Sequence, residues 1–155
     1  MTSKDRVLQR ERQRGRAAAL NLANRTVNDG LDGTAIIAEQ DHVPAWSEDA
    51  VYTLDHVGYP VQDGDQVYTI LQPHTPAHNP GFRPADLPAI YSIQHTKDPA
   101  RAKPYMPPNG TSGMYMIGDC CRVDVKVFRS TVDNNVWHPN DYPAGWEEVQ
   151  SSASM

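Results

Sequence analysis

The sequence has almost no cysteine and no long apolar run. Its two cysteines are neighbours, Cys120 and Cys121, and adjacent cysteines rarely meet the geometry that a disulfide requires. This argues against a disulfide-stapled scaffold, and we interpret the pair as a small apolar residue beside a tolerated surface thiol. No stretch is apolar enough to span a bilayer, and the N-terminus lacks the apolar core of a signal peptide. We therefore expect assembly in a reducing cytoplasm, without membrane insertion.

Signatures of catalysis are also missing. The chain contains no Gly-x-Ser-x-Gly, no phosphate-binding loop and no paired-cysteine motif. His74 and His78 have the spacing of metal ligands on a helix, but Pro73, Pro76 and Pro80 exclude a regular helix there. A pair of hydrolytic carboxylates would also need a substantial cleft, and the two small units into which this chain divides offer none. We predict no enzymatic activity, no metal and no cofactor.

Positive charge is scarce beyond the first 29 residues. Residues 1–29 have a net charge of +4, whereas the rest of the chain has a net charge of −9. Ser3 is the predicted cap of an N-terminal helix, and the segment from Asn28 to Gly33 is the predicted end. Residues 34–38 are expected to form a short strand or a staple against a neighbouring subunit. The basic residues assigned to an attachment arm are Arg6, Arg10, Arg12, Arg14 and Arg16.

Two kinds of partner suit this basic arm. Clustered arginines neutralise phosphates, which favours nucleic acid. The arm has no aromatic residue for base stacking, however, and the acidic remainder of the chain repels nucleic acid. We therefore expect a helix that is solvated or docked on protein.

A motif of aromatic, any residue, Pro, three residues, Pro, Ala, any residue and aromatic occurs twice, at residues 82–91 and 137–146. Similarity extends upstream, where Tyr52 and Tyr115 each precede a strand that carries an aromatic residue. Such self-similarity indicates two copies of one unit. Thirteen Pro and ten Gly also favour short strands and tight turns over long helices. The predicted class is mainly β: two small antiparallel β modules in tandem behind an N-terminal basic α-helical arm.

These residues resemble the chitin- and cellulose-type carbohydrate-binding modules of families 5 and 12, and more closely the tandem versions in small bacteriophage virion proteins. The first copy is similar through Gly81-Phe82-Arg83-Pro84 and Leu87-Pro88-Ala89-Ile90-Tyr91, with Phe82 and Tyr91 where the family usually has Trp. Val43-Pro44-Ala45-Trp46 is similar to the opening segment of such a module. The second copy is similar through residues 130–137 and Gly145-Trp146-Glu147-Glu148-Val149.

The resemblance implies four segments. Residues 1–42 are the basic helical arm, for attachment or oligomerisation, and residues 43–94 are module one. Residues 95–102 form a linker, and residues 103–150 are module two. In module one, residues 51–54 and 67–71 are predicted strands, and Asp63-Gly64 is a hairpin signal between them. Module two has Asp124-Val125 where the family has Asn-Gly, and Val is poor at positive φ, so this hairpin is expected to turn differently.

A sugar-binding surface needs an exposed aromatic ring flanked by hydrogen-bonding side chains. The resemblance places the closing aromatics Tyr91 and Trp146 at the position of the family's glycan-contacting Trp, and module two is the stronger candidate. The competing interpretation makes aromatic residues core, and it is preferred for five of them: Trp46, Tyr68, Phe82, Phe128 and Trp137. The full set of glycan-binding candidates is Trp146, Tyr91, Trp137, Tyr142 and Phe82.

The resemblance implies a virion surface protein of a bacteriophage, such as a capsid decoration, head fibre or tail component. It would bind host-surface polysaccharide weakly and multivalently. Its expected partners are copies of itself, with a trimer as one arrangement, and other virion proteins, both through the arm. One alternative is a purely structural virion protein whose modules make subunit contacts. Another is an accessory binding module of a polysaccharide hydrolase.

Overall fold

The structure is a computed structural model that describes residues 2–78, 81–110 and 112–149. Residues 1 and 150, which bound the predicted arm and module two, lie outside the described residues, as does Pro80. Two α-helices come first, α1 over Ser3–Asn28 and α2 over Gly33–Ala38. The strands that follow are β1 (Pro60–Asp63), β2 (Gln66–Ile70), β3 (Tyr91–Ile93), β4 (Lys103–Pro104), β5 (Cys120–Val123), β6 (Lys126–Ser130) and β7 (Trp146–Val149).

Helix α1 has a cap at each end. Thr2, and not the predicted Ser3, is the N-cap: its Oγ1 accepts the N–H of Asp5 at 3.1 Å, and the Asp5 carboxylate accepts the Thr2 N–H at 3.1 Å. The helix ends at Asn28, and Gly30 follows with a φ of +62°. The predicted helix end is confirmed, because Gly tolerates this left-handed conformation.

Residues 34–38 are helical, so the short-strand interpretation is wrong. The Asp32 side chain accepts the N–H of Ala35 at 2.9 Å and caps α2. Ile36 and Ile37 are fully buried within the chain. Neither isoleucine side chain is therefore exposed to staple a neighbouring subunit.

The second half of α1 belongs to the body of the protein. Leu22, Ile36, Ile37, Val43 and Val67 form one hydrophobic cluster, which joins both helices to β2. Residues 2–17, in contrast, are all exposed. Only this first part of α1 has the accessibility of an arm. No helix within the described residues combines the length and apolarity needed to cross a membrane.

The first sheet has the order β1-β2-β3, with both pairs antiparallel. A two-residue loop, Gly64 and Asp65, joins β1 to β2, and Gly64 has a φ of +60°. The predicted hairpin is therefore present, but its loop lies one residue later than the predicted Asp63-Gly64, and its first strand is Pro60–Asp63. The predicted strand at residues 51–54 is wrong. Tyr52 forms one isolated bridge, and a 3₁₀ turn starts at Leu54.

The second sheet has the order β4-β5-β6-β7. It is mixed rather than wholly antiparallel, because β4 runs parallel to β5. Its hairpin loop is Asp124 and Val125, the two residues expected at this turn. Asp124 takes the positive φ, +54°, and Val125 does not. Asp tolerates this conformation better than a β-branched residue, which explains how the loop turns without Asn-Gly.

The two sheets share one hydrogen-bond pattern. Trp46 N–H donates to the Gln62 carbonyl at 2.7 Å, and Tyr105 N–H donates to the Arg122 carbonyl at 2.9 Å. The opening tyrosines also correspond, since Tyr52 bridges His74 and Tyr115 bridges Asn135. The closing aromatics pair alike at the end of the middle strand: Ile70 with Tyr91, and Ser130 with Trp146. The repeat in the sequence is therefore a repeat in backbone structure.

Polar contacts hold the two sheets together. Asp65, in the first hairpin loop, makes ion pairs with Lys103 at 3.3 Å and Arg122 at 2.9 Å. Gln66 Nε2 donates to the Pro104 carbonyl at 2.8 Å. Burial opposes ionisation of Asp65, but these two cations more than offset it and lower the pKa of the carboxyl group.

Candidate functional site

The closing aromatics are core residues. Tyr91 is 1% exposed and Trp146 is 6% exposed. Tyr91 lies edge-on to Tyr52 and Tyr68, and its hydroxyl accepts a hydrogen bond from Trp46 Nε1 at 3.0 Å. Trp146 packs with Tyr115 and Cys121. Neither ring presents a face to solvent, so the position that the resemblance favours for glycan contact is occupied here by core side chains.

The opening aromatics of the repeated motif are the exposed ones. Phe82 is 51% exposed and Trp137 is 49% exposed. Their predicted place in the core is therefore wrong, whereas Tyr68 is buried as expected. Trp46 and Phe128 are partly buried. The same two motif positions thus have the same environments in both modules, with the first ring outside and the last ring inside.

The Trp137 backbone is fixed on both sides. Its N–H donates to Asn135 Oδ1 at 3.2 Å, and its carbonyl accepts the Trp146 Nε1 hydrogen bond at 2.9 Å. Asn135 is fully buried and also donates to Ser130 Oγ at 3.0 Å and the Gly145 carbonyl at 2.9 Å. The buried Trp146 and Asn135 are therefore positioning residues for an exposed ring. This role of Asn135 is not apparent from the sequence.

Tyr142 extends the Trp137 surface. The two rings meet edge to face, with their centroids 4.9 Å apart. Tyr142 also lies against Gly145, where an added Cβ would come within 2.7 Å of the Tyr142 Cδ2. Module one has Ile90 at the equivalent motif position. The change from Ile90 to Gly145 between the copies is the sequence signal that a ring approaches this backbone.

A groove of about 520 Å³ lies beside Trp137. One part of the groove is lined by aromatic and aliphatic side chains, and another part is lined by polar side chains. Within the described residues, His138 Nε2, the Asn140 amide and the Asp141 carboxylate make no hydrogen bond to the protein. The groove therefore has apolar surface and unused polar groups side by side. Its lining residues are Tyr105, Pro107, Val136, Trp137, His138, Asn140 and Asp141.

The polar side of the groove is held by local contacts. His138 Nδ1 accepts the N–H of Asn140 at 3.0 Å, and the His138 carbonyl accepts the N–H of Asp141 at 2.9 Å. The His138 ring also meets Tyr105 edge to face at 4.7 Å. Burial raises the pKa of the Tyr105 phenol, and the charge of the nearby Asp141 raises it further. Tyr105 and Asp141 thus line the same groove.

The environment of Phe82 in module one is different. The adjacent Arg83 forms an ion pair with Asp63 and lies over the Trp46 ring, with its Cζ atom 4.7 Å from the centroid. The polar group beside this ring is therefore already engaged within the protein. Module two consequently offers the better developed surface.

Other candidate positions lie away from this groove. Arg6, Arg10, Arg12, Arg14 and Arg16 are exposed on α1 and make no ion pair with the described residues. His74 lies edge-on to Tyr91 at 6.1 Å. The described part of the chain contains no group of three or more His, Cys, Asp and Glu side chains suited to hold a metal ion. Cys120 and Cys121 are both buried free thiols, so the predicted surface thiol is wrong. Burial raises the pKa of Cys121 to about 12.

No protein-family model matches the chain, and no curated protein sequence matches it. The similarity to carbohydrate-binding modules remains a prediction from the sequence motifs. The geometry of the Trp137 groove is independent of that prediction.

Proposed function

We propose that this protein binds carbohydrate through the groove beside Trp137. The observation that carries the proposal is a half-exposed indole ring whose backbone is fixed at both its N–H and its carbonyl. Sugar rings stack on such a surface through their apolar C–H faces, and an immobilised ring loses little entropy on binding. The unused polar groups of His138, Asn140 and Asp141 stand beside it to meet hydroxyl groups.

The biological setting we propose is the surface of a bacteriophage particle, where the protein acts as a capsid decoration, head fibre or tail component. The resemblance of the tandem modules to those of phage virion proteins supports this setting. Repeated weak sites on one particle gain roughly 10²–10⁴ in avidity when their geometry permits simultaneous contact. A single shallow groove of modest affinity is therefore sufficient for attachment to a polysaccharide-coated host.

The exposed first part of α1 is the proposed assembly element. Isolated helices of about 12–15 residues are marginal in water, and Gly15 weakens this one further. A partner surface would stabilise it. The positive arm is complementary to the acidic remainder of the chain, which has a net charge of −9, and this favours a second copy or another acidic virion protein.

Assembly through the arm can be tested without truncating the chain. Deletion of residues 1–33 would remove Leu22 from the core, so substitution is the cleaner perturbation. We expect the wild-type chain to sediment as an oligomer at low salt, and a variant with Arg6, Arg10 and Arg14 changed to Gln to shift toward monomer. Monomers for both proteins over the whole concentration range would contradict assembly of the isolated protein through the arm.

A structural role in subunit contacts is the second candidate. Leu54 and Ile117 favour it, because each is an exposed aliphatic residue two positions after the opening tyrosine of its module. Exposed apolar residues at equivalent positions suit repeated protein contacts. Under this hypothesis Trp137 would also contact a neighbouring subunit, and Trp137→Ala would weaken assembly instead of sugar binding.

The binding function is tested by pull-down on a panel of insoluble polysaccharides, followed by titration with soluble oligosaccharides. We expect Trp137→Ala to lose binding at least tenfold while its circular dichroism spectrum stays that of the wild type. Phe82→Ala tests the equivalent ring of module one. Leu54→Ala is the matched control for nonspecific hydrophobic adsorption, because it also removes an exposed apolar side chain. Binding that survives Trp137→Ala, or is lost equally in Leu54→Ala, would contradict the proposal.

A further inference from the structure

The Trp137 groove carries a negative charge that no described residue neutralises. Asp141 lines it and makes no ion pair or side-chain hydrogen bond with the described residues. The described residues that line it include no lysine or arginine. A carboxylate that is left without a partner beside an aromatic ring attracts a cation from solution.

Three basic residues of module two form ion pairs with acidic residues outside the groove. Lys103 and Arg122 both pair with Asp65 at the junction of the two sheets. Arg129 pairs with Glu147 at 3.2 Å across β6 and β7. The acidic balance of the chain outside residues 1–29 adds to the negative potential at the groove. Sugars that carry carboxylate, sulfate or phosphate groups are therefore disfavoured as ligands.

We infer that the groove selects amino sugars whose amine is free and protonated. This inference rests on the proposed carbohydrate function and adds the class of ligand. The sugar ring would lie on Trp137, and its ammonium group would face Asp141 at the polar edge of the groove. An ammonium group near the face of Trp also gains from the ring quadrupole, and Trp is the best of the aromatic residues for this contact. Neutral sugars would keep the stacking and lose the charge contribution.

The size of the preference follows from the exposure of the site. A charge pair at about 4 Å in water contributes roughly a fivefold change in affinity, because 1.4 kcal/mol corresponds to a factor of ten. The ring contact raises the expected preference to about tenfold. The preference should shrink as salt is added, since exposed charges separated by more than about 10 Å are screened at 0.1 M ionic strength and closer ones are weakened.

The test compares two soluble oligomers of equal length, one of glucosamine and one of N-acetylglucosamine, by calorimetric titration of the full chain. The variants are Asp141→Asn, which keeps the shape of the side chain, and Trp137→Ala. Glu148→Gln is the matched control, because it removes an exposed carboxylate from β7 that does not line the groove. We expect the wild type and Glu148→Gln to prefer the glucosamine oligomer about tenfold. Asp141→Asn should bind both oligomers with nearly equal affinity.

The outcomes separate the inference from the proposed function. Equal binding of both oligomers by the wild type, abolished by Trp137→Ala, would overturn the charge preference and leave carbohydrate binding standing. An equal loss of both oligomers in Asp141→Asn would show that the carboxylate accepts hydroxyl groups instead of selecting an amine. Equal losses in Glu148→Gln and Asp141→Asn would reduce the effect to general surface charge. No binding of either oligomer would overturn the inference, while binding of another polysaccharide would still support the proposed function.

Discussion

Replacing Trp146 with alanine should destabilise the fold strongly, whereas replacing Trp137 should leave it almost intact. The two residues belong to the same motif and are nine positions apart, but Trp146 is core and Trp137 is half exposed. Trp146 meets Tyr115 edge to face at 5.1 Å and donates to the Trp137 carbonyl. Trp137 has its ring contact with Tyr142 at the surface.

The magnitudes follow from burial. Truncation of a buried aromatic residue to alanine costs about 3–5 kcal/mol, as lost transfer free energy and an unfilled cavity. Loss of an exposed aromatic contact costs about 1 kcal/mol. Natural domains have a free energy of unfolding of only about 5–15 kcal/mol. Trp146→Ala should therefore remove a large part of that free energy, and Trp137→Ala a small part.

Urea unfolding followed by far-ultraviolet circular dichroism measures both variants without using tryptophan fluorescence, which the substitutions themselves change. We expect the midpoint of Trp146→Ala to fall far below that of the wild type and the midpoint of Trp137→Ala to stay close to it. Equal shifts, or a larger shift for Trp137→Ala, would refute the assignment of one ring to the core and the other to the surface.

Three further predictions concern a glycine, a histidine and the arm. Gly145→Ala should push the Tyr142 ring aside and destabilise module two by roughly 1–3 kcal/mol. Thermal unfolding measures this change, and an unchanged melting temperature would contradict the contact. Burial of His95 lowers its pKa below the ordinary 6.5, and the charge of Lys97 lowers it further. The hydrogen bond to the Gly113 carbonyl and the charge of Asp119 raise the pKa, but they do not offset burial. The unfolded chain then takes up the proton more readily, so stability should be full above pH 6.5 and decline as the pH falls through the lowered value. His95→Gln should flatten that decline in urea unfolding from pH 7 to about 5, and an unchanged decline would exclude His95 as its source. Gly15→Ala should raise helicity and stabilise α1 by about 1 kcal/mol. The new Cβ fits without a clash, because no heavy atom lies within 4 Å of it. Hydrogen exchange along α1 checks this prediction, and faster exchange would contradict it.

Local chemistry explains which parts of the fold the sequence predicts. The end of α1 near Asn28 and both hairpin loops are set by residues that tolerate positive φ, and such signals act over a few positions. The helix at residues 34–38 is missed because its cap, Asp32, looks equally like part of a turn. The strand predicted at residues 51–54 fails because the Thr53 N–H donates to His56 Nδ1 at 2.8 Å and starts a turn.

The site is less predictable because the motif contains two aromatic positions of similar character. Their spacing is identical in the two copies, and it does not reveal which ring faces the sheet. Strand pairing decides this: Trp146 is opposite Ser130 in β6, and Trp137 precedes the strand in a loop. Asp141 and Asn135 carry no sequence signal of their own, since one gains its role from the groove and the other from burial.

The most direct test of carbohydrate binding at Trp137 is nuclear magnetic resonance of the indole N–H groups during titration with an oligosaccharide. The chain has three tryptophans. Trp46 and Trp146 donate their indole N–H groups to Tyr91 and to the Trp137 carbonyl, whereas Trp137 makes no such bond within the described residues. We predict that the Trp137 signal, assigned by its absence in Trp137→Phe, shifts most and saturates with the ligand. A Trp137 signal that stays unchanged while the protein binds the oligosaccharide would contradict the account.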